Sequence, residues 1–336
     1  MICRYQCSRE TFERAGYTPE KGKEIMQRCV KLADDARKAY LAEGGEKDVR
    51  VALSLGPFGS SVTPPQDFDG FYPPPFGPRG PSSDGNNNNN TRLFSSDAEA
   101  EREAVEALAE FHLWRVRAVC SDLEAWKRID YVAFETVPHL REVRAIKLAM
   151  ARFDAETRGC GEEGLMKRLK GWWISLVFPD GESSAQWGRE ERVHQAQSLG
   201  VDLIEDPSRG EILNVVLDDK IGAVPTGLGV NCTRVDHYRS ILSSITSGYN
   251  PDPPIPLTLV VYPNGGRPGD RFDSATSRWI NDGKARADDR DITWEEEVVE
   301  VVQNFRGEWK DVIVGGCCRV YPPQIKRLRE KVKEGL

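Results

Sequence analysis

The residues with the most chemistry to offer are three cysteines that follow glycines. Cys232 closes Gly229-Val230-Asn231-Cys232, and Cys317 and Cys318 close Gly315-Gly316-Cys317-Cys318. Thiolates are soft ligands that suit zinc. Three of them on one ion leave a fourth position open, as in catalytic rather than structural zinc sites. The glycines are expected to let the backbone turn tightly, so that both members of the vicinal pair aim at one ion. A Cys-Cys pair by itself is a loop or core feature more often than a ligand pair. The upstream Asn-Cys, also at a strand end, makes this a candidate site for one Zn2+ per chain. Cys3, Cys7, Cys29, Cys120 and Cys160 are scattered, and Cys29 and Cys120 read as small core residues.

Other candidates follow apolar runs in the same way. Glu135 is suited to hold a substrate ammonium group by a charge-assisted hydrogen bond, with a structural ion pair as the alternative. Asn231 either orients Cys232, occupies the open metal position before substrate arrives, or is a turn residue. Ser54, Tyr262 and Asn264 are candidate substrate-binding residues at the same mouth. The four histidines show no metal-ligand spacing, and His112 falls on the apolar face of its helix, as a packed side chain does. Neither a dinucleotide-binding Gly-x-Gly-x-x-Gly at a strand-to-helix turn nor a P-loop is present.

Short apolar strands alternating with helices must position these residues. Helical spacing of Ile25, Cys29, Leu32, Ala33, Ala36 and Tyr40 predicts a first long helix, ended by Gly44-Gly45. Strands are expected at Val49 to Leu55, Tyr131 to Phe134, Trp173 to Phe178, Ile221 to Val224, Leu257 to Tyr262 and Val312 to Val314. Between them, helices are expected after a Ser96/Glu99 capping box, over Pro138 to Phe153, roughly over 187–199, after Cys232, and from a Thr293/Glu296 cap; a last helix starts near Pro322. Residues 56–95 read as a long loop, within which 73–91 is a low-complexity insertion with Pro73-Pro74-Pro75 and Asn86 to Asn90, too polar to bury a core. Six strands with crossover helices imply a parallel sheet. Candidate residues follow at least five strands, which favours the mouth of a (β/α)8 TIM-type barrel over the single switch point of a doubly wound sheet.

Composition excludes other classes. The chain has 336 residues, 39% hydrophobic and 29% charged, with a net charge of −7 and no polybasic block, so no nucleic-acid partner is expected. No apolar run approaches the roughly 18 residues of a membrane span, and the opening MICRYQCSRE lacks the apolar core of a signal peptide. A cytoplasmic setting, where thiols stay reduced, is the expectation.

The motif set resembles the homocysteine S-methyltransferase family. The resemblance rests on the two cysteine motifs together with Ser54-Leu55-Gly56-Pro57-Phe58-Gly59, Phe134-Glu135-Thr136-Val137-Pro138, Val261-Tyr262-Pro263-Asn264-Gly265-Gly266 and Tyr5-Gln6-Cys7-Ser8. These occur in family order over nearly the whole chain, apart from 73–91 and a variable 181–215 region. It implies one homocysteine-binding barrel domain over 1–336, with Cys232, Cys317 and Cys318 on zinc. The implied reaction moves a methyl group from a sulfonium donor, S-methylmethionine or S-adenosylmethionine, to the thiol of L-homocysteine, giving methionine; betaine-using relatives share the barrel. Selenocysteine or another thiol is the alternative acceptor. Trp279 and Trp294 are candidates to cover the sulfonium by cation–π contact, with ordinary packing as the plainer reading. The family begins with a strand bearing an acidic residue, a helix and a second strand, yet Tyr5 here already belongs to the second strand's end. An N-terminally incomplete barrel is therefore expected, with two unpaired edges. It is read either as part of a longer enzyme, with Met1 internal, or as a truncated zinc-binding scaffold that is inactive or dependent on a partner; the persistence of the three cysteines and Glu135 favours the first. Oligomeric state is not legible.

Overall fold

The computed structural model describes residues 2–3, 5–46, 48–68, 70, 72–77, 98–158, 170–178, 209–250, 252–266, 270–273, 278–281 and 292–335. A short β1 (Ile2–Cys3) leads through α1 (Arg9–Arg14) and α2 (Pro19–Ala42) to β2 (Ala52–Leu55). Next come α3 (Ala98–Cys120), α4 (Leu123–Lys127), β3 (Tyr131–Val137), α5 (Leu140–Arg158) and β4 (Gly171–Leu176). They are followed by α6 (Arg209–Leu217), β5 (Gly227–Arg234), α7 (Tyr238–Ile245) and β6 (Ile255–Asn264). A β7–β8 hairpin (Asp270–Asp273, Arg278–Asn281), α8 (Trp294–Phe305), β9 (Trp309–Val314) and α9 (Pro322–Gly335) complete the order.

Seven strands form one parallel sheet in the order β1-β2-β3-β4-β5-β6-β9. Strands run in chain order with helices between them, as right-handed crossovers of a (β/α)8-type barrel require. Among the described residues the barrel is not closed, because β1 and β9 are the two ends of the sheet.

Period-2 alternation divides each strand between two environments. Leu53, Leu55, Val132, Phe134, Trp172, Ile174, Leu228, Val230, Leu259 and Val261 point to the helix layer and join the main core. Ala133, Trp173, Val260 and Tyr262 form a smaller inner cluster, with Ala52 and Cys317 packed against it. Ser54, Glu135, Ser175 and Asn231 occupy the same alternation positions as that inner cluster. Polar groups thus gather on the concave side.

Several expectations are corrected. The sheet has seven strands rather than six, because Ile2 and Cys3 pair with Leu53 and Ser54. The fourth predicted strand, 221–224, is a turn, and the strand is β5, which contains the Gly-Val-Asn-Cys motif itself. The short apolar run Ile221 to Val224 carried the strand signal, but the two glycines of 227–229 are what let β5 press against its neighbours. In α2 the buried stripe is Gly22, Met26, Val30 and Asp34; Leu32 and Tyr40 are exposed, so the apolar face lies one residue away from the predicted one. The first part of 56–95 is built into the core: Phe58 and Tyr72 are buried, and Phe76 stacks on Phe58 with ring centroids 3.8 Å apart. The predicted helix at 187–199, the Ser96 cap and residues 78–91 lie outside the described residues. The Thr293/Glu296 capping box forms as expected.

Candidate metal centre and substrate mouth

The three cysteines converge. Cys232 Sγ lies 2.8 Å from Cys317 Sγ and 3.8 Å from Cys318 Sγ, and all three sulfurs fall within 4.8 Å of one another. Sulfurs at about 2.3 Å from a tetrahedral ion stand about 3.8 Å apart. The Cys232–Cys318 spacing already matches, and Cys317 must draw back by about 1 Å to fit. In the absence of a cation, three thiolates this close repel one another. Hydrogen bonding to Cys317 and Cys318, with burial, pushes the Cys232 thiol well up, whereas hydrogen bonds from Cys232 and Cys317 pull Cys318 down. The cluster thus favours one thiolate until a cation supplies compensating charge.

β6 acts as the template that brings the cysteines together. It pairs with β5 through Asn231↔Tyr262 and with β9 through Val261↔Val314. Beyond the end of β9, Gly315 N–H donates to the Val261 carbonyl and Cys317 N–H to the Pro263 carbonyl, each at 2.8 Å. The tight turns expected of the glycines are made by other residues. Among the described residues the left-handed non-glycine positions are Thr136 (φ 62°), Cys232 (φ 50°) and Arg319 (φ 61°). Gly229 serves close approach instead: a Cβ there would stand 2.8 Å from both Ser175 Oγ and Val260 Cβ. The left-handed turn at Cys232 coincides with a register shift between Asn231 and Arg234. It breaks alternation, so consecutive Asn231 and Cys232 both reach Cys317.

Asn231 is buried and clamped by Thr136. Thr136 N–H donates to Asn231 Oδ1 and Asn231 Nδ2 donates to Thr136 Oγ1, both at 2.8 Å, and Nδ2 also lies 3.8 Å from Cys317 Sγ. Of its expected roles, orienting a cysteine fits, although the cysteine it addresses is Cys317 rather than Cys232. Glu135 is 5% exposed and accepts from Ser54 Oγ at 2.6 Å, while among the described residues its Oε1 meets no hydrogen-bond partner. Burial pushes its carboxyl up to about 7, against the Ser54 hydrogen bond. Among the described residues Glu135 makes no ion pair. The buried Tyr262 hydroxyl accepts from Trp173 Nε1 at 3.4 Å, and burial followed by the charge of Glu135 raises its phenol pKa. Ser54, Glu135, Tyr262, Asn231 and Cys317 therefore belong to one neighbourhood. Asn264 sits at the end of β6 with a buried, unpartnered Oδ1.

Both tryptophans contact other parts of the chain. Trp294 Nε1 donates to the Asn264 carbonyl at 2.9 Å, and the Trp279 ring lies 5.3 Å from the guanidinium carbon of Arg319. His112 is fully buried against Glu142 Oε1 at 2.9 Å, remote from the cysteines in role. Inspection of the sequence missed Thr136, the clamp, and Ser175, whose Oγ is buried beside Tyr262. Strict alternation from Trp173 would have placed Ser175 on the inner face; nothing local foretold the left-handed Thr136.

The sequence matches the family profile described as homocysteine S-methyltransferase over residues 3–332. It is 28% identical to a betaine-homocysteine S-methyltransferase of Drosophila melanogaster, covering 98% of this chain and 77% of that protein. It is 22% identical to a selenocysteine Se-methyltransferase of Brassica oleracea var. italica, covering 98% and 73%. The fold is similar to the metallated form of the homocysteine methyltransferase MmuM from Escherichia coli, with a TM-score of 0.58, 22% identity and coverage of 98% of this chain and 78% of that one.

Proposed function

The chain belongs to the homocysteine S-methyltransferase family, and from that premise we propose that it transfers a methyl group from a sulfonium, S-methylmethionine or S-adenosylmethionine, to L-homocysteine with the help of one Zn2+. The observation that carries the reading is the convergence of Cys232, Cys317 and Cys318 within 4.8 Å, beside a buried carboxylate with an unpartnered oxygen. The donor set fits the ion: three soft ligands leave one position for a substrate sulfur. When bound, zinc lowers the pKa of a substrate thiol, which otherwise is mostly protonated at neutral pH.

The chain's own residues do the rest. Glu135, oriented by Ser54, accepts hydrogen bonds from the homocysteine ammonium group through its open oxygen. Asn231 holds Cys317 in place. Tyr262 and Asn264 line the same mouth and restrict how the substrate lies. Orientation then governs the rate, because an in-line displacement needs the sulfur, the methyl carbon and the departing sulfur on one axis. The homocysteine sulfur forms a bond to the methyl carbon as the carbon–sulfonium bond breaks. The donor leaves as a neutral thioether, and the thiol proton goes to solvent. A sulfonium suits this step because its leaving group is an uncharged sulfide. Reduced thiols at the centre fit a reducing compartment such as the cytoplasm.

The test is methionine formation from homocysteine and each sulfonium by protein of known zinc content. Turnover that disappears in Cys317→Ser and Cys318→Ser is expected. Folded, zinc-loaded protein that makes no methionine with either sulfonium would overturn the proposal and favour a non-catalytic scaffold. Turnover with betaine alone would overturn its donor half. The name of the Brassica relative makes selenocysteine the acceptor to include, and competition between the two acceptors decides between them.

A further inference from the structure

Arg319 follows Cys318 directly and is fixed more firmly than a loop residue needs to be. Its backbone is left-handed, a conformation that side-chain-bearing residues rarely adopt. Its carbonyl lies where the Cβ of any residue at Gly265 would stand, at 2.5 Å, and Gly265 N–H donates to the Cys318 carbonyl at 2.8 Å. The guanidinium donates from Nη1 to Asp270 Oδ2 at 2.6 Å, and Asn281 Nδ2 donates to the other Asp270 oxygen at 2.9 Å. Trp279 lies under its plane. The β7–β8 hairpin thus supplies a carboxylate, an amide and an aromatic ring that together hold the guanidinium of the residue next to Cys318.

A guanidinium carries five N–H donors. Among the described residues Arg319 uses one, and its side chain is 37% exposed while Asp270 is 8% exposed. The Asp270 contact fixes the plane of the group and leaves the fork of Nε and Nη2 for an external acceptor. Planar, bidentate recognition of a carboxylate is what such a fork does best.

The geometry points to Arg319 as the receptor for the α-carboxylate of the amino-acid sulfonium that donates the methyl group, with Asp270 and Trp279 as positioning residues. This rests on the sulfonium reading above. The donor is chosen over homocysteine on spatial grounds. Homocysteine fills the inner side, with its sulfur at the cysteines and its ammonium on Glu135, next to the half-buried Cys317. In-line displacement would bring the donor from the side away from homocysteine, and Cys318, which Arg319 follows, is the exposed member of the cluster.

The decisive comparison is kcat/KM for S-methylmethionine against its decarboxylated analogue, (3-aminopropyl)dimethylsulfonium, in wild type and Arg319→Gln at equal zinc content. The ratio of the two is expected to fall about 10- to 100-fold in the variant, with the homocysteine KM unmoved. Arg319→Lys is expected to recover the ratio only in part, because an ammonium lacks the fork. An equal loss on both donors would show that Arg319 merely pins the hairpin, and a rise confined to the homocysteine KM would move its carboxylate contact to the acceptor; either overturns the inference. Calorimetric binding of S-methylmethionine separates this from the functional reading. Wild-type binding without turnover breaks that reading alone, and binding that survives Arg319→Gln at full strength breaks this inference alone. If Arg319→Gln fails to fold, Asp270→Asn, which releases the guanidinium, is read by the same ratio.

Discussion

Ser54→Ala isolates the charge of Glu135. The Ser54 hydroxyl donates to Glu135 Oε2 at 2.6 Å, both residues are buried, and among the described residues no partner reaches Oε1. Burial lifts the carboxyl to about 7, and the Ser54 hydrogen bond restrains that lift. A hydrogen bond to a charged group contributes about 1.5–3 kcal/mol, of which a share survives as a bond to the neutral acid. With about 1.4 kcal/mol per pKa unit, losing the hydroxyl moves Glu135 up by about one unit. At pH 7 the ionised fraction then drops from about one half to about one tenth. If ionised Glu135 holds the homocysteine ammonium, kcat/KM for homocysteine falls about fivefold at that pH. The assay is the pH dependence of kcat/KM for homocysteine at saturating donor, which reports ionisations of the free enzyme. The acid limb is expected to move up by about one unit while the alkaline plateau stays near wild type. A plateau that falls by the same factor as the neutral-pH rate, with the limb unmoved, would refute the role of Ser54 in setting this charge.

Other outcomes follow from the same geometry. Cys232→Ser, Cys317→Ser and Cys318→Ser are each expected to lower zinc from about one per chain to a trace by elemental analysis; full retention in Cys318→Ser would show that the vicinal pair does not share an ion. Gly229→Ala places a Cβ 2.8 Å from Ser175 Oγ and Val260 Cβ, an overpacking worth about 1–3 kcal/mol. A lower urea midpoint at unchanged slope is expected, and an unchanged midpoint would count against close approach. His112 and His139 are held down to about 4, by burial first and then by Arg115 and Arg141 respectively, against the pull of Glu142 on both. Their folded values lie below the unfolded value of about 6.5, so the unfolded chain takes up protons first and stability is lost as pH falls from about 6.5 towards 4. By about pH 5.5 each histidine removes roughly 1 kcal/mol; a urea midpoint that is flat across this range would contradict their burial as neutral rings.

The parts of the site that follow alternation were legible in the sequence, and the parts that break it were not. Ser54, Glu135, Asn231 and Tyr262 all lie on the inner face because each sits in phase with its strand. The same rule would have given Ser175. What the pattern hides is the pair of left-handed residues, Thr136 and Cys232, each within or next to a register shift. A strand period of two assigns Asn231 and Cys232 to opposite faces; the shift brings both to Cys317. The strand at 221–224 failed for a related reason, since β5 reads Gly-Leu-Gly-Val and glycines carry no β signal. The β7–β8 hairpin and its Arg319 clasp were invisible, because nothing in 270–281 alternates strongly enough to announce a strand.

The open sheet places a particular demand on the candidate metal centre. Among the described residues β9 pairs only with β6, and its Lys310, Asp311 and Ile313 are exposed, so the vicinal cysteines hang from an element hydrogen-bonded there on one side. End strands are the first to fray, because few contacts oppose local opening. Yet the centre requires Cys317 and Cys318 to hold position against Cys232, which is anchored in the interior strand β5. The hydrogen bonds from Gly315, Cys317 and Gly265 extend the β6–β9 ladder past the last paired residue and supply part of that hold. On the proposed reading an ion shared by all three sulfurs supplies the rest, tying β9 to β5 across β6. Binding free energy at such a site is at the same time stabilisation of the strand that presents two of its three ligands.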